Sequence, residues 1–123
     1  MITMLAVSAA AAIGAPARFL LDKAIAGRHR SALPLGTMTI NVTGAFVLGL
    51  LTGLAAHHGL PRGVVTVAGT GFCGAYTTFS TFSYESMRLV EDGAIAKAMG
   101  YVGGSLVAGL AAAAAGLGVA LVL

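Results

Sequence analysis

The chain has 123 residues, of which 58% are hydrophobic and 9% charged, and its formal net charge is +3. Soluble domains carry about 25% charged residues, so this composition, with a mean hydropathy of +0.94, excludes an ordinary soluble domain and specifies an integral membrane protein. The seven Lys and Arg are scattered near the ends of apolar stretches, where they anchor helices to lipid headgroups instead of forming a patch for nucleic acid.

Residues 1–17, 31–61, 63–84 and 98–123 contain no Asp, Glu, Lys or Arg, and about 20 apolar residues suffice to cross a bilayer core. Four crossings fit within a single transmembrane domain over residues 1–123, leaving almost nothing for a soluble part. The first predicted helix covers about residues 3–26. Its apolar start, with Ala at 9–12, has the hydropathy of a secretion signal but not the basic beginning. The apolar run also continues past Arg18 through Phe19, Leu20 and Leu21 to Asp22 and Lys23, so a retained helix is expected. Arg18 has Asp22 one turn further on. It is either half of an ion pair at the membrane boundary or a positive vestibule group that raises the local anion concentration.

After the connection GRHRSALP, the second helix is predicted at 34–57. Asn41, in TINVTGAF, carries an amide that should not face lipid unpaired. It acts either as glue between helices or as an NH₂ donor to a passing anion. Gly49-x-x-x-Gly53 here, and Gly100-x-x-x-Gly104 near the other end of the chain, mark faces where small residues let backbones approach, within a subunit or between subunits. His57 and His58, in the turn HHGLPR, read as interfacial polar residues.

The third helix is predicted at 62–90 and contains the most polar part of the chain, GAYTTFSTFSYE. Gly69, Gly71 and Gly74 weaken a helix, and Thr77 and Thr78 offer competing local hydrogen bonds, so a break near 74–78 is expected. In hydrocarbon a break survives only where protein, water or an ion satisfies the freed backbone. Freed carbonyls suit a small hard cation, and the N-terminus of the following half-helix suits an anion. Phe79 and Phe82 share a face, with Phe72 one helical repeat earlier. They either pack a core or present the positive edges of their rings to an anion. The hydroxyls of Thr78, Ser80, Thr81 and Ser83 either bond back to the preceding turn or donate along a path. Glu85 is expected to pair with Arg88 at i+3, and the lone Cys73 forms no internal disulfide. The fourth helix, predicted at 95–122, places Tyr101 and Ser105 on one face, where they extend a polar track.

The run Gly74-x-x-Thr77-Thr78-Phe79-Ser80-Thr81-Phe82-Ser83, preceded by Asn41-x-x-Gly44, resembles the Fluc/CrcB family of small fluoride channels, and the likeness extends over the whole chain. The resemblance implies an all-α membrane protein of four transmembrane helices with a broken third helix. It further implies an antiparallel, dual-topology homodimer with two pores in a bacterial inner membrane, exporting fluoride passively to relieve its toxicity. Phe79 and Phe82 would line the fluoride path together with Asn41, Thr78, Ser80, Thr81, Tyr101 and Ser105. Arg18 would stand in the vestibule. The backbone carbonyls of Gly74 and Thr77 from both subunits would hold a structural Na⁺. One turn beyond Ser105 stands Gly109, which has no hydroxyl to continue the track.

Dual insertion implies a near balance of Lys and Arg, whereas Lys23, Arg28, Arg30, Arg88 and Lys97 stand against Arg62 alone. With Lys23 and Arg88 placed inside helices the imbalance is three to one, and the count favours the larger set in the cytoplasm. The competing reading is a small proton-coupled exporter of the multidrug type, which wants a carboxylate at mid-depth. Glu85, toward a helix end, is the only candidate. A non-conducting assembly subunit would explain the glycines but not the Thr/Ser/Phe run. No nucleophile, base and donor converge, so enzyme chemistry is not expected.

Overall fold

Backbone in hydrocarbon has no water to pair with and must satisfy itself, and the charge-poor stretches accordingly form helices. The computed structural model describes residues 1–123 and is all-helical. Helices α1 (Ile2–Arg28), α2 (Leu35–His57) and α6 (Ile95–Val122) are each long and apolar enough to cross a membrane. The stretch between α2 and α6 is assembled from pieces: α3 (Arg62–Val65), a π-helical segment (Thr66–Cys73), α4 (Gly74–Tyr76) and, after a break at Thr77 and Thr78, α5 (Phe79–Glu91). Lys23 and Arg88 lie inside α1 and α5, not in connections. Gly59 and Gly93 take positive φ values of 67° and 74° in the turns after α2 and α5, a backbone region that glycine enters without strain.

The π segment is the main departure from a simple broken helix. Runs of i→i+5 bonding are rare and concentrate at functional sites. Here the segment covers eight residues, and its closing bond runs from the Gly74 amide to the Gly69 carbonyl. It lies against α1. A β-carbon on Gly71 would collide with the Val7 carbonyl and Ala10, and one on Gly14 with the Phe72 carbonyl. Both glycines therefore serve close backbone approach.

Helices α2 and α6 form the most extensive pairing and run parallel. Gly49 meets the Ala113 carbonyl, Gly53 meets Ala120, and Gly116 meets the Phe46 carbonyl and Leu50 amide. At the end of the pair the His58 ring lies 2.7 Å from the Ala120 carbonyl. The Gly49-x-x-x-Gly53 motif thus packs within the subunit, whereas Gly100 and Gly104 have nothing within 4 Å of a would-be β-carbon. Only 14 of 123 residues are buried, so most apolar side chains face outward. This suits a chain solvated by lipid or by a further subunit.

This packing makes a direct prediction. Gly116→Ala pushes a methyl group into backbone that cannot move aside, and overpacking of this kind costs about 1–3 kcal/mol. Gly118→Ala, on the same helix with open space around it, removes only a glycine penalty. Thermal unfolding in detergent should show Gly116→Ala clearly destabilised and Gly118→Ala unchanged or slightly stabilised.

Candidate functional site

At Thr77 the chain leaves the helix (φ −79°, ψ 160°), and Thr78 is also extended (φ −147°, ψ 125°) before α5 begins. Thr78 caps α5: its hydroxyl accepts a bond from the Thr81 amide at 3.2 Å, the usual service of an N-cap threonine. In an unbroken helix the Thr78 amide would bond to the Gly74 carbonyl and the Thr81 amide to the Thr77 carbonyl. Here the Thr78 amide donates to Asn41 Oδ1 at 2.8 Å and the Thr81 amide to the Thr78 hydroxyl. The carbonyls of Gly74 and Thr77 have therefore both lost their helical donors, and Gly74 is exposed on the surface of the chain.

Helix α2 supplies the opposite wall. Asn41 also donates from Nδ2 to the Thr78 carbonyl at 2.9 Å. One turn further, Gly44 leaves room for the Thr77 methyl group, which a β-carbon would strike. The Thr77 hydroxyl bonds back to the Cys73 carbonyl at 2.9 Å. Asn41 was expected to act either as interhelical glue or as an anion donor, and the structure shows it bonded across the break.

The phenylalanines lie just beyond the cap. The Phe79 and Phe82 rings are 6.0 Å apart between centroids and tilted by 40°. Phe79 is 80% exposed, while Phe82 is half-buried and lies 5.3 Å from the Tyr101 ring. Phe72 does not continue this pair: it stacks on Tyr76 at 5.5 Å, because the break ends the helical repeat that would have aligned all three. The hydroxyls of Thr78 and Thr81 are 3.0 Å apart, and Ser80, exposed, reaches Thr78 only at 3.4 Å. Ser105, on α6, has a buried hydroxyl with no hydrogen-bond partner.

Two cavities flank Thr78. One, of about 200 Å³, is lined by Arg18, Asp22, Thr37, Ile40, Thr78 and Thr81, so Arg18 shares a recess with hydroxyls. The other, of about 250 Å³ and open, is lined by Asn41, Ala45, Leu48, Thr77, Thr78 and Phe79. No group of three or more His, Cys, Asp or Glu is arranged to hold a metal ion.

The expected pairing of Glu85 with Arg88 is not formed. Arg88 donates to the Tyr84 hydroxyl at 3.1 Å, the i−4 neighbour on its exposed face. Glu85 turns inward and accepts from the Thr37 hydroxyl and the Tyr101 hydroxyl, each at 3.0 Å. One carboxylate thereby ties α2, α5 and α6 together. Neither Thr37 nor this role of Glu85 was expected from the sequence. The available signal was that Thr37, Asn41 and Gly44 follow i, i+4, i+7 and so present one face of α2. Tyr101→Phe leaves a partly buried carboxylate short of a donor, at a cost of about 1–3 kcal/mol. A lower unfolding temperature in detergent, relieved in the Glu85→Gln/Tyr101→Phe pair relative to the sum of the single changes, is the expected result.

Residues 5–117 match the family model described as CrcB-like protein, Camphor Resistance (CrcB). A protein of Frankia casuarinae named "Fluoride-specific ion channel FluC 1" is 49% identical over 122 residues, covering 94% of each chain. A Streptomyces avermitilis protein of the same name is 49% identical over 113 residues, covering 92% of this chain and 91% of its own. A Mycobacterium tuberculosis protein named "Fluoride-specific ion channel FluC 2" is 49% identical over 104 residues, covering 85% and 79%.

Proposed function

The chain belongs to the CrcB-like family, and from that premise we propose that it forms a fluoride-selective channel, through which fluoride leaves the cell passively. It is a multi-pass membrane protein of a channel family, not an enzyme. The observation that carries the fluoride reading is the tilted pair Phe79 and Phe82, set beside hydroxyls at the start of a half-helix in mid-span.

The chemistry follows from what fluoride requires. It holds its water strongly, so a pore must replace hydration with close donors. Several weak sites in series allow exit as well as entry. Arg18 draws anions into the recess beside Thr78 and Thr81. From there the ring edges of Phe79 and Phe82, with positive partial charge, stand between hydroxyl donors. The N-terminus of α5 adds the positive end of a 13-residue helix dipole. On α6 the Ser105 hydroxyl has a donor to spare, whereas the Tyr101 hydroxyl gives its one proton to Glu85 and contributes through its ring, packed beside Phe82. Phe79 is largely exposed on a single chain, which supports a pathway completed by a second subunit.

That second subunit is proposed to be an antiparallel copy, giving two pores per homodimer in a bacterial inner membrane. A resident Na⁺ fits the donor chemistry at the break. Hard cations prefer oxygen ligands, and the carbonyls of Gly74 and Thr77 are free of their helical donors, with Gly74 on the surface where a partner would meet it. These two residues from each subunit would hold the ion, which supplies positive charge to offset the anion and a tie between the broken helices. The proton-coupled exporter is not favoured: the relatives are named channels, and both oxygens of Glu85 are engaged by neutral donors.

Growth provides the test in cells. In a bacterium lacking its own fluoride exit route, expression of this chain should restore growth in millimolar-range fluoride, and the Phe82→Ile variant should restore it poorly. Sensitivity unchanged by well-expressed wild-type protein would count against the reading.

A further inference from the structure

Asn41 makes two hydrogen bonds to one residue. Its Oδ1 accepts from the Thr78 amide at 2.8 Å and its Nδ2 donates to the Thr78 carbonyl at 2.9 Å. That exchange of two bonds is the pattern by which one residue of an antiparallel strand pairs with the residue opposite. The Thr78 backbone has the matching extended conformation (φ −147°, ψ 125°). A side-chain amide therefore stands in for a missing peptide, and it does so at the point in the span where backbone groups have no helical partners.

We infer that Asn41 is a positioning residue that acts on the ion through Thr78 and not as a fluoride ligand in its own right. The inference rests on the fluoride-channel reading above for its functional part only; the clip itself is a matter of geometry. Holding Thr78 extended has three consequences visible in the structure. It directs the Thr78 hydroxyl to the Thr81 amide, so that α5 starts at Phe79. It keeps the Thr78 and Thr81 hydroxyls 3.0 Å apart. It also withdraws the Thr78 amide from the Gly74 carbonyl. Gly44, three residues along the same helix face, seats the Thr77 methyl group, so α2 grips both residues of the break.

Three variants test this. Asn41→Ala removes the clip. Asn41→Asp keeps an acceptor for the Thr78 amide but sets a second acceptor against the Thr78 carbonyl. A backbone ester at Thr78, replacing its N–H by oxygen, removes one of the two bonds and leaves every side chain intact. Each is expected to lower fluoride release from vesicles by about tenfold or more. The ester combined with Asn41→Ala is expected to be no worse than Asn41→Ala alone. The fluoride-over-chloride ratio should fall in the folded variants, a change that loss of folded protein alone does not produce. Ester release within about twofold of wild type, with Asn41→Ala still blocked, would make Asn41 a direct ligand and overturn the inference. Hydrogen exchange at the Thr78 amide checks the clip without fluoride. Protection in the wild type and about tenfold faster exchange in Asn41→Ala are expected for the loss of these bonds. An unprotected Thr78 amide in the wild type would refute the clip, whatever the flux.

Discussion

Phe82→Ile and Phe79→Ile should each reduce fluoride release from reconstituted vesicles by about two- to tenfold, the change in rate that corresponds to an aromatic-edge contact of the strength found between aromatic pairs, about 0.5–1.5 kcal/mol. Isoleucine is apolar and of comparable bulk but has no positive edge, so the substitution removes the electrostatic feature and little else. The two positions differ in a way that sharpens the test. Phe79 is 80% exposed, so its loss costs the single chain almost no packing. Phe82 lies 5.3 Å from the Tyr101 ring, so its replacement also disturbs the α5–α6 contact. Flux loss in Phe79→Ile with an unchanged unfolding temperature and elution profile would separate conduction from folding. Wild-type flux in both variants would mean that the rings do not line the path.

The second large effect is expected at Thr77. Proline there removes the Thr77 amide bond to the Cys73 carbonyl, now 2.9 Å, and disfavours the helical conformation of Tyr76 before it. The φ of −79° at Thr77 already suits proline, so the cost comes from the lost amide bond and from the displaced backbone of Tyr76 and not from a helix interior. Thr77→Val keeps the branched shape that fits against Gly44 and loses only the hydroxyl bond to Cys73, about 0.5–1.5 kcal/mol. If the Thr77 carbonyl is an Na⁺ ligand, Thr77→Val retains the dependence of thermal unfolding on sodium, and Thr77→Pro loses it along with flux. Equal tolerance of both changes would remove the backbone of Thr77 from the account.

Much of the architecture was legible because membrane solvation leaves so few options. Four charge-free stretches predict four helical segments, three of which form helices long and apolar enough to cross a membrane, and Gly69, Gly71, Gly74, Thr77 and Thr78 together mark where the other one yields. What escaped the sequence depends on geometry across helices. The π segment was hidden because glycine signals a weakened helix without saying how the hydrogen bonds are redistributed. The two Gly-x-x-x-Gly motifs look alike as strings, yet Gly53 meets Ala120 while Gly104 faces open space; only the crossing of α2 and α6 tells them apart.

Glu85 was misplaced for a related reason. Arg88 at i+3 is the nearest opposite charge along the chain, so local pairing appeared sufficient. But Arg88 is exposed and bonds to Tyr84, while Glu85 is turned toward Thr37, 48 positions earlier, and Tyr101, 16 later. A partly buried carboxylate must find donors wherever they stand, and here two neutral hydroxyls are within reach. Phe72 shows the same limit in reverse: its spacing predicted alignment with Phe79, and the break cancelled it.

The most direct measurement is fluoride release from liposomes containing the purified chain, followed with a fluoride electrode while K⁺ and valinomycin balance charge, and repeated with chloride inside. The account predicts rapid fluoride release and no chloride release above that of protein-free liposomes. No fluoride release from folded protein, or equal release of both anions, would contradict it.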